Sequence, residues 1–96
     1  MSNDTHHLVE QSGRHSGDTE TLIIKVLKDL LTLTHVDLNE HLVDIGGDSL
    51  VGIALMARVS EAYEIGFSPI MPFESESLRQ LAARIDRIRF SQTGSS

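Results

Sequence analysis

The stretch "IGGDSLVGIALMARVSEAYE", residues 45–64, decides the fold of this chain and raises the question of its function. Two glycines and an Asp–Ser pair interrupt the aliphatic residues, which then resume at the spacing of one helix face. Because Asp and Ser are preferred helix caps, we predict a helix that begins at Asp48 or Ser49. Its predicted core face consists of Gly52, Leu55, Met56, Val59, Ala62 and Tyr63.

Two other segments place apolar residues at helical spacing, one on each side of this helix. "DTETLIIKVLKDLLTL" predicts a first helix that Asp18 or Thr19 caps. "SESLRQLAARIDRIRF" predicts a last helix that Ser75 or Ser77 caps. A short helical turn is expected just before it, after Pro72.

The segment "THVDLNEHLVDIGG", residues 34–47, predicts a long loop between the first and second helices. So long a loop in a small domain is usually either functional or disordered. Regularly spaced apolar residues favour an ordered, functional loop; they are Val36, Leu38, Leu42 and Ile45. No segment alternates as a strand does. We therefore expect an all-α four-helix bundle with three main helices and one short one.

The chain has 96 residues, enough for one small domain. Residues 1–18 show no apolar period and are rich in Ser, Gly, His and Asp, and residues 91–96 are similar. These segments predict flexible tails. We place the ordered domain at residues 19–90.

The composition excludes several classes of function. The 14 acidic and 8 basic residues give a net charge of −6, which argues against a nucleic-acid binder. No apolar run approaches the roughly 20 residues of a membrane span, and no signal peptide is visible, so a cytoplasmic protein is expected. The chain has no cysteine, so any thiol that it uses must come from another molecule.

A hydrolytic or metal-binding site is not expected either. "GDSL" spells a lipase and esterase signature, but the chain is too short for that α/β fold and shows no strands. The nucleophile-elbow pattern also fails, because Val51 stands where it requires glycine. No pair of histidines has metal-ligand spacing on a helix; they are His6, His7, His15, His35 and His41. We expect no catalytic residue and no bound metal.

Two interpretations of Ser49 remain, a helix cap and an attachment point. A helix N-terminus offers free N–H groups and a positive dipole end, which suit a phosphate ester on the serine. Gly46 and Gly47 would leave the approach open, since they carry no side chain. Leu50 and Ile53 fall outside the core face, near the serine, and would form a docking patch.

The stretch "HLVDIGGDSLVGIALMARVSEAYEIGFSPIMPFESESLRQLAARI" closely resembles the carrier-protein family of peptidyl, aryl and acyl carrier proteins. The match includes the Ile-Gly-Gly-Asp-Ser-Leu motif and the Phe-Glu turn that leads into the last helix. These carriers are four-helix bundles with a modifiable serine at the start of the second helix. The resemblance covers roughly residues 20–90.

The resemblance implies that a phosphopantetheinyl transferase moves 4′-phosphopantetheine from coenzyme A onto Ser49. The thiol of this arm would hold an acyl group as a thioester, so the protein would be a monomeric shuttle and not an enzyme. An adenylating enzyme would load it, and condensing or tailoring enzymes would receive the cargo. Asp48 would assist the transferase or the phosphate, unless it only caps the helix.

The resemblance also implies a partner-binding face of apolar residues. Its members would be Leu50, Ile53, Met56, Ala57, Ile70 and Met71. Met56 also fits the core, and Ile70 and Met71 are placed there by family analogy.

The Gly-Gly pair favours a peptidyl carrier of nonribosomal peptide assembly. Two departures leave a polyketide-type acyl carrier open as an alternative: His41 and Leu42 stand where peptidyl carriers usually have phenylalanine, and Gly52 replaces a larger residue. A different alternative is a carrier-like interaction module that is never modified, in which Leu50 and Ile53 matter and Ser49 does not.

Overall fold

The structure, a computed structural model, describes the backbone of residues 7–94 and the side chains of residues 17–91. Over this part of the chain it is helical and contains no strand. The elements in chain order are α1 (His7–Leu31), a 3-10 helix (Leu42–Ile45), α2 (Ser49–Tyr63), α3 (Met71–Glu74) and α4 (Leu78–Gly94). The all-α prediction is confirmed, with α3 as the short helix.

Helix α1 begins earlier than the predicted cap at Asp18 or Thr19. The backbone is helical from His7, although residues 7–18 were expected to belong to a flexible tail. Apolar periodicity reports the face that a helix buries, so a helical extension without an apolar stripe leaves no signal in the sequence.

Helix α4 has one of its two predicted caps. The Oγ atom of Ser77 accepts a hydrogen bond from the Gln80 N–H at 3.1 Å, which is the geometry of an N-cap. The helix continues to Gly94, beyond the predicted end of the domain. The outermost parts of the two predicted tails, residues 1–6 and 95–96, lie outside the described residues.

The core lies between α1, α2 and α4 and is aliphatic. Its fully buried members include Ile23, Leu27, Leu55, Val59, Leu81 and Ile85. Burial of each such side chain stabilises the fold by about 2 kcal/mol relative to an exposed position. Two residues of the predicted α2 core face differ, since Ala62 is exposed and Tyr63 is half-buried. The core therefore covers the earlier turns of α2 more completely than the last one.

A group of polar side chains joins α1, α2 and α4 at the last turn of α2, and we call it the polar cluster: Thr19, Tyr63, Asp86 and Arg89. The Thr19 hydroxyl donates to Oδ1 of Asp86 at 2.5 Å and lies 3.1 Å from the Tyr63 hydroxyl. Arg89 donates to the same Thr19 and Asp86 oxygens at 3.0 and 3.1 Å. Its guanidinium carbon lies 3.8 Å from the centroid of the Tyr63 ring. Thr19 is therefore a buried member of this cluster and not a helix cap.

Candidate functional site

The long loop between α1 and α2 is held in place by its apolar residues and by α4. Three of its four predicted anchors are buried and Ile45 is half-buried. The backbone carbonyls of Leu38 and Glu40 accept hydrogen bonds from the Arg79 and Leu78 N–H groups, at 2.8 and 2.9 Å. These donors belong to the first turn of α4, where a helix has no acceptor of its own. The prediction of an ordered loop anchored in the core is confirmed.

The loop ends in the 3-10 helix, which leads into the start of α2. His41 caps this helix, since its Nδ1 accepts a hydrogen bond from the Val43 N–H at 3.0 Å. At the other end Gly46 has a φ of +98°, a left-handed conformation that side chains disfavour. The Gly47 N–H then donates to the Leu42 carbonyl at 2.9 Å. The first glycine of the motif is thus required by the backbone.

The second glycine of the motif is required by packing. A Cβ atom on Gly47 would lie 2.5 Å from Cδ1 of Leu42 and 3.0 Å from its carbonyl oxygen. Leu42 is fully buried, so it has little room to move. That both glycines leave the approach to Ser49 open stays a prediction, and the structure adds a packing role for Gly47, which is buried and makes room for Leu42.

Gly52 has a similar role one turn into α2. A Cβ atom there would lie 2.6 Å from Cζ of Phe73, so the Phe73 ring packs directly against the α2 backbone. This contact joins α3 to the first half of α2. The departure of Gly52 from the family pattern therefore has a structural cause.

Asp48, and not Ser49, caps α2. The Asp48 backbone is extended, its Oδ1 accepts from the Val51 N–H at 3.0 Å, and its carbonyl accepts from the Gly52 N–H at 2.9 Å. Ser49 is the first residue of the helix, and its side chain is exposed. Among the described residues, nothing hydrogen-bonds to the Ser49 hydroxyl or accepts from the N–H groups of Ser49 and Leu50.

These features fit a phosphate ester on the serine. Its hydroxyl is exposed, two backbone donors nearby lack acceptors within the described part of the chain, and the positive end of the α2 dipole favours an anion. Asp48 already uses an oxygen to cap the helix, and its predicted role toward the arm stays a prediction.

Four large apolar side chains around this site are exposed, and we call them the apolar patch: Val43, Leu50, Ile53 and Ile70. Their exposed fractions are 56%, 73%, 51% and 55%. The 3-10 helix, α2 and the N-cap of α3 each contribute, and the Phe73–Gly52 contact joins two of these elements. Val43 was not among the predicted partner residues, and the sequence signal for it was its place directly after Leu42, which is buried.

Two predicted partner residues do not lie on this surface. Met56 and Met71 are 1% and 5% exposed, so both are core residues, and their assignment to the partner face is corrected. Met56 follows Gly52 by one turn on the core side of α2, and Met71 opens α3 with its side chain inward. Ala57 is exposed on α2, as a member of the predicted face must be.

The described residues form neither a metal site nor a membrane-spanning helix. This part of the chain holds no group of three or more His, Cys, Asp or Glu side chains able to bind a metal ion. None of its helices has the length and apolar character needed to cross a membrane.

Comparisons with known proteins agree with this geometry. The family model described as "Phosphopantetheine attachment site" matches residues 21–85, more than half of the chain. Bacitracin synthase 2 of Bacillus licheniformis is 30% identical over 67 residues, and so is a dimodular nonribosomal peptide synthase of Bacillus subtilis (strain 168). Each alignment covers 70% of this chain and 3% of the synthase.

The chain thus spans only 3% of the length of the curated relatives that it matches. No solved structure matches it. The family match covers the loop, α2 and α3 completely, together with residues 21–31 of α1 and 78–85 of α4, and so includes every element of the site. The chain belongs to the phosphopantetheine attachment-site family and is a carrier domain for covalently attached 4′-phosphopantetheine, not an enzyme.

Proposed function

We propose that Ser49 is the residue to which the arm is attached, by a phosphopantetheinyl transferase that uses coenzyme A. One observation carries this proposal: Ser49 is exposed with a free hydroxyl, while its neighbour Asp48 supplies the helix cap. A serine that served as the cap would have its oxygen occupied by a backbone N–H. The residue is thus available for chemistry without any loss of helix structure.

The cargo is an aminoacyl or acyl group held as a thioester on the thiol of the arm. The chain has no cysteine, so the arm is its source of a thiol. One relative is named as a nonribosomal peptide synthase and the other as a bacitracin synthase, which favours a peptidyl carrier in nonribosomal peptide assembly. An adenylating enzyme loads the carrier, and condensing or tailoring enzymes act on the cargo. A polyketide-type carrier is the alternative subtype.

The apolar patch is the surface to which these enzymes dock in turn. Its four side chains lie on the 3-10 helix, on α2 and at the N-cap of α3, and they are exposed in a chain of net charge −6. A small apolar area with a charged surround gives brief, weak complexes, as a carrier that must leave each enzyme requires. Exposed Ala57 extends this surface along α2.

The test is the intact mass of the full chain before and after incubation with a promiscuous phosphopantetheinyl transferase, Mg²⁺ and coenzyme A. We expect the wild type to gain the mass of one phosphopantetheine and Ser49→Ala to gain none. Ser91→Ala, at an exposed serine of α4, is the matched control and should be modified like the wild type. Modification of Ser49→Ala would refute the assignment.

Thermal unfolding of Ser49→Ala shows whether a negative result comes from lost structure. Because Asp48 is the cap, we expect the free energy of unfolding to change by less than about 0.5 kcal/mol, as for an ordinary surface substitution. If a folded wild type gains no mass, the unmodified interaction module is favoured instead. In that case Leu50→Ala and Ile53→Ala should weaken partner binding.

A further inference from the structure

His41 joins two segments of the site through both nitrogens of its ring. Nδ1 accepts a hydrogen bond from the Val43 N–H at 3.0 Å, and Nε2 lies 3.3 Å from the Phe73 carbonyl oxygen. Among the described residues, this contact is the only hydrogen bond between the 3-10 segment, residues 41–47, and α3. The half-buried imidazole therefore bridges the loop and the short helix.

The two contacts fix which nitrogen carries the proton. A carbonyl oxygen only accepts hydrogen bonds, so Nε2 must be the donor to Phe73. A backbone N–H only donates, so Nδ1 must keep its lone pair for Val43. A single tautomer of His41, with hydrogen on Nε2, satisfies both partners.

The residues linked in this way belong to the apolar patch or adjoin it. Val43 is exposed on the 3-10 helix, and Ile70 is the N-cap of α3, whose carbonyl accepts from the Phe73 N–H at 2.9 Å. The His41 and Phe73 rings also lie close, with centroids 6.4 Å apart. Phe73 in turn packs on Gly52, next to Ile53. His41 thus lies at the centre of the contacts that place these apolar side chains relative to each other.

We infer that His41 is a positioning residue, which holds Val43 and Ile70 in one arrangement beside Leu50 and Ile53 so that partner enzymes meet a preformed surface. The inference rests on the proposed docking role of the apolar patch. A preformed surface binds more tightly because less freedom is lost on association. A residue that only capped the 3-10 helix would be replaceable by asparagine, whereas this role needs a side chain that reaches both Val43 and Phe73.

The structural part of the test is an NMR comparison of the full chain. In the wild type, the imidazole ¹⁵N shifts of His41 should report the Nε2–H tautomer. In His41→Asn the short side chain still caps the helix, so the Val43 amide should stay near its wild-type position while the Glu74 amide, next to the Phe73 carbonyl, moves. In His41→Ala both amides should move. His35→Asn, at an exposed loop histidine, is the control and should move neither.

The functional part is the steady-state kinetics of the transferase with the unmodified protein as substrate. We expect His41→Ala and His41→Asn each to raise KM about threefold, the scale of one lost hydrogen bond, with kcat and the circular dichroism spectrum unchanged. His35→Asn should match the wild type.

An Nδ1–H tautomer, or a His41→Asn variant with wild-type KM and an unmoved Glu74 amide, would overturn the inference. If the transferase fails on the wild type, the proposed function fails instead. The tautomer and the two amide positions then still decide whether His41 links the two segments.

Discussion

The two ends of α2 are built in opposite ways. At its start, glycines let Leu42 and Phe73 pack onto the backbone, and around them a hydroxyl, two N–H groups and four apolar side chains are left exposed. At its end, about 21 Å away along fifteen residues, the side chains of the polar cluster hydrogen-bond to one another across three helices. The first end leaves the Ser49 hydroxyl and the apolar patch exposed. The second end uses its polar side chains to join three helices.

This difference separates function from stability within one small domain. The packing around Ser49 is apolar and does not use the serine hydroxyl as a hydrogen-bonding group, so the hydroxyl is left free. The polar cluster holds the helices together at a distance from the site, and its groups are unavailable to a ligand. Variants at the far end should therefore change stability alone, and variants that disturb the packing at the near end, such as Gly52→Ala, should change stability and modification together.

The largest effect on stability is expected for Asp86→Ala. Asp86 is 4% exposed, and its Oδ1 accepts from both Thr19 and Arg89, so its removal leaves two donors without this acceptor. Loss of one partner of such a buried pair typically costs about 3 kcal/mol of unfolding free energy. Urea unfolding followed by circular dichroism measures it.

Asp86→Asn is the matched control for the polar cluster. Its amide oxygen can replace Oδ1, and its NH₂ would occupy the place of Oδ2, which has no partner among the described residues. We expect a loss of about 1 kcal/mol, for the weaker neutral hydrogen bonds. Both folded variants should take up the arm at the wild-type rate at a temperature where they are fully native. A slower rate would break the separation between the two ends.

A smaller effect is expected for Gly52→Ala at the near end. The added methyl group would press on the Phe73 ring, and such overpacking costs about 1–3 kcal/mol. The better helix propensity of alanine offsets about 1 kcal/mol of this. Chemical denaturation should therefore show a net loss of about 1 kcal/mol, and KM for the transferase should rise because Phe73 supports the apolar patch.

Gly66→Ala is the control for this substitution. A Cβ atom at Gly66 meets nothing within 4 Å, so its stability and its KM should stay near the wild-type values. The double variant Gly52→Ala, Phe73→Leu should lose less than the sum of the single changes, since leucine makes room for the methyl group. Additive losses would show that the ring contact is not the cause.

The sequence predicts those parts of the fold that depend on local spacing. Helical periodicity identified the three main helices, the loop anchors such as Leu42, and the exclusion of Leu50 and Ile53 from the core. It misplaced the start of α1. It placed Met56 on the core face correctly, whereas the family resemblance assigned Met56 and Met71 to a surface that they do not reach. For a residue at the edge of an apolar stripe, the neighbouring helix determines whether the side chain is buried or exposed.

The polar cluster and the His41 link were beyond sequence reasoning for a similar reason. Thr19 is 44 positions from Tyr63 and 67 positions from Asp86, so their contact depends on how three helices cross. His41 drew attention only as a departure from the family pattern, and nothing local indicates that its Nε2 reaches Phe73. Likewise, Asp and Ser are both preferred N-caps, so only the backbone geometry shows that Asp48, and not Ser49, caps α2.

The smallest effect is expected at the left-handed residues that end α1 and α2. Thr32 and Glu64 have φ angles of 56° and 57°, a region that costs an L-residue roughly 1–2 kcal/mol. Thr32 is β-branched and precedes the loop to Ser49, while Glu64 follows the end of α2 that carries the polar cluster. Thr32→Gly would remove this conformational strain, but glycine also raises the entropy of the unfolded chain, which offsets part of the stabilisation. We therefore expect Thr32→Gly to add about 0.5–1 kcal/mol to the free energy of unfolding.

Glu64→Gly should add less, since glutamate is unbranched at Cβ and tolerates the conformation better. Parallel denaturant titrations with unchanged slopes would measure both gains. The transferase rate should be the same for both variants, because the strain at Thr32 lies before the loop anchors that position the 3-10 helix. A fall in that rate for Thr32→Gly alone would instead mean that the strained turn helps to place Ser49, and that the site extends back to the end of α1.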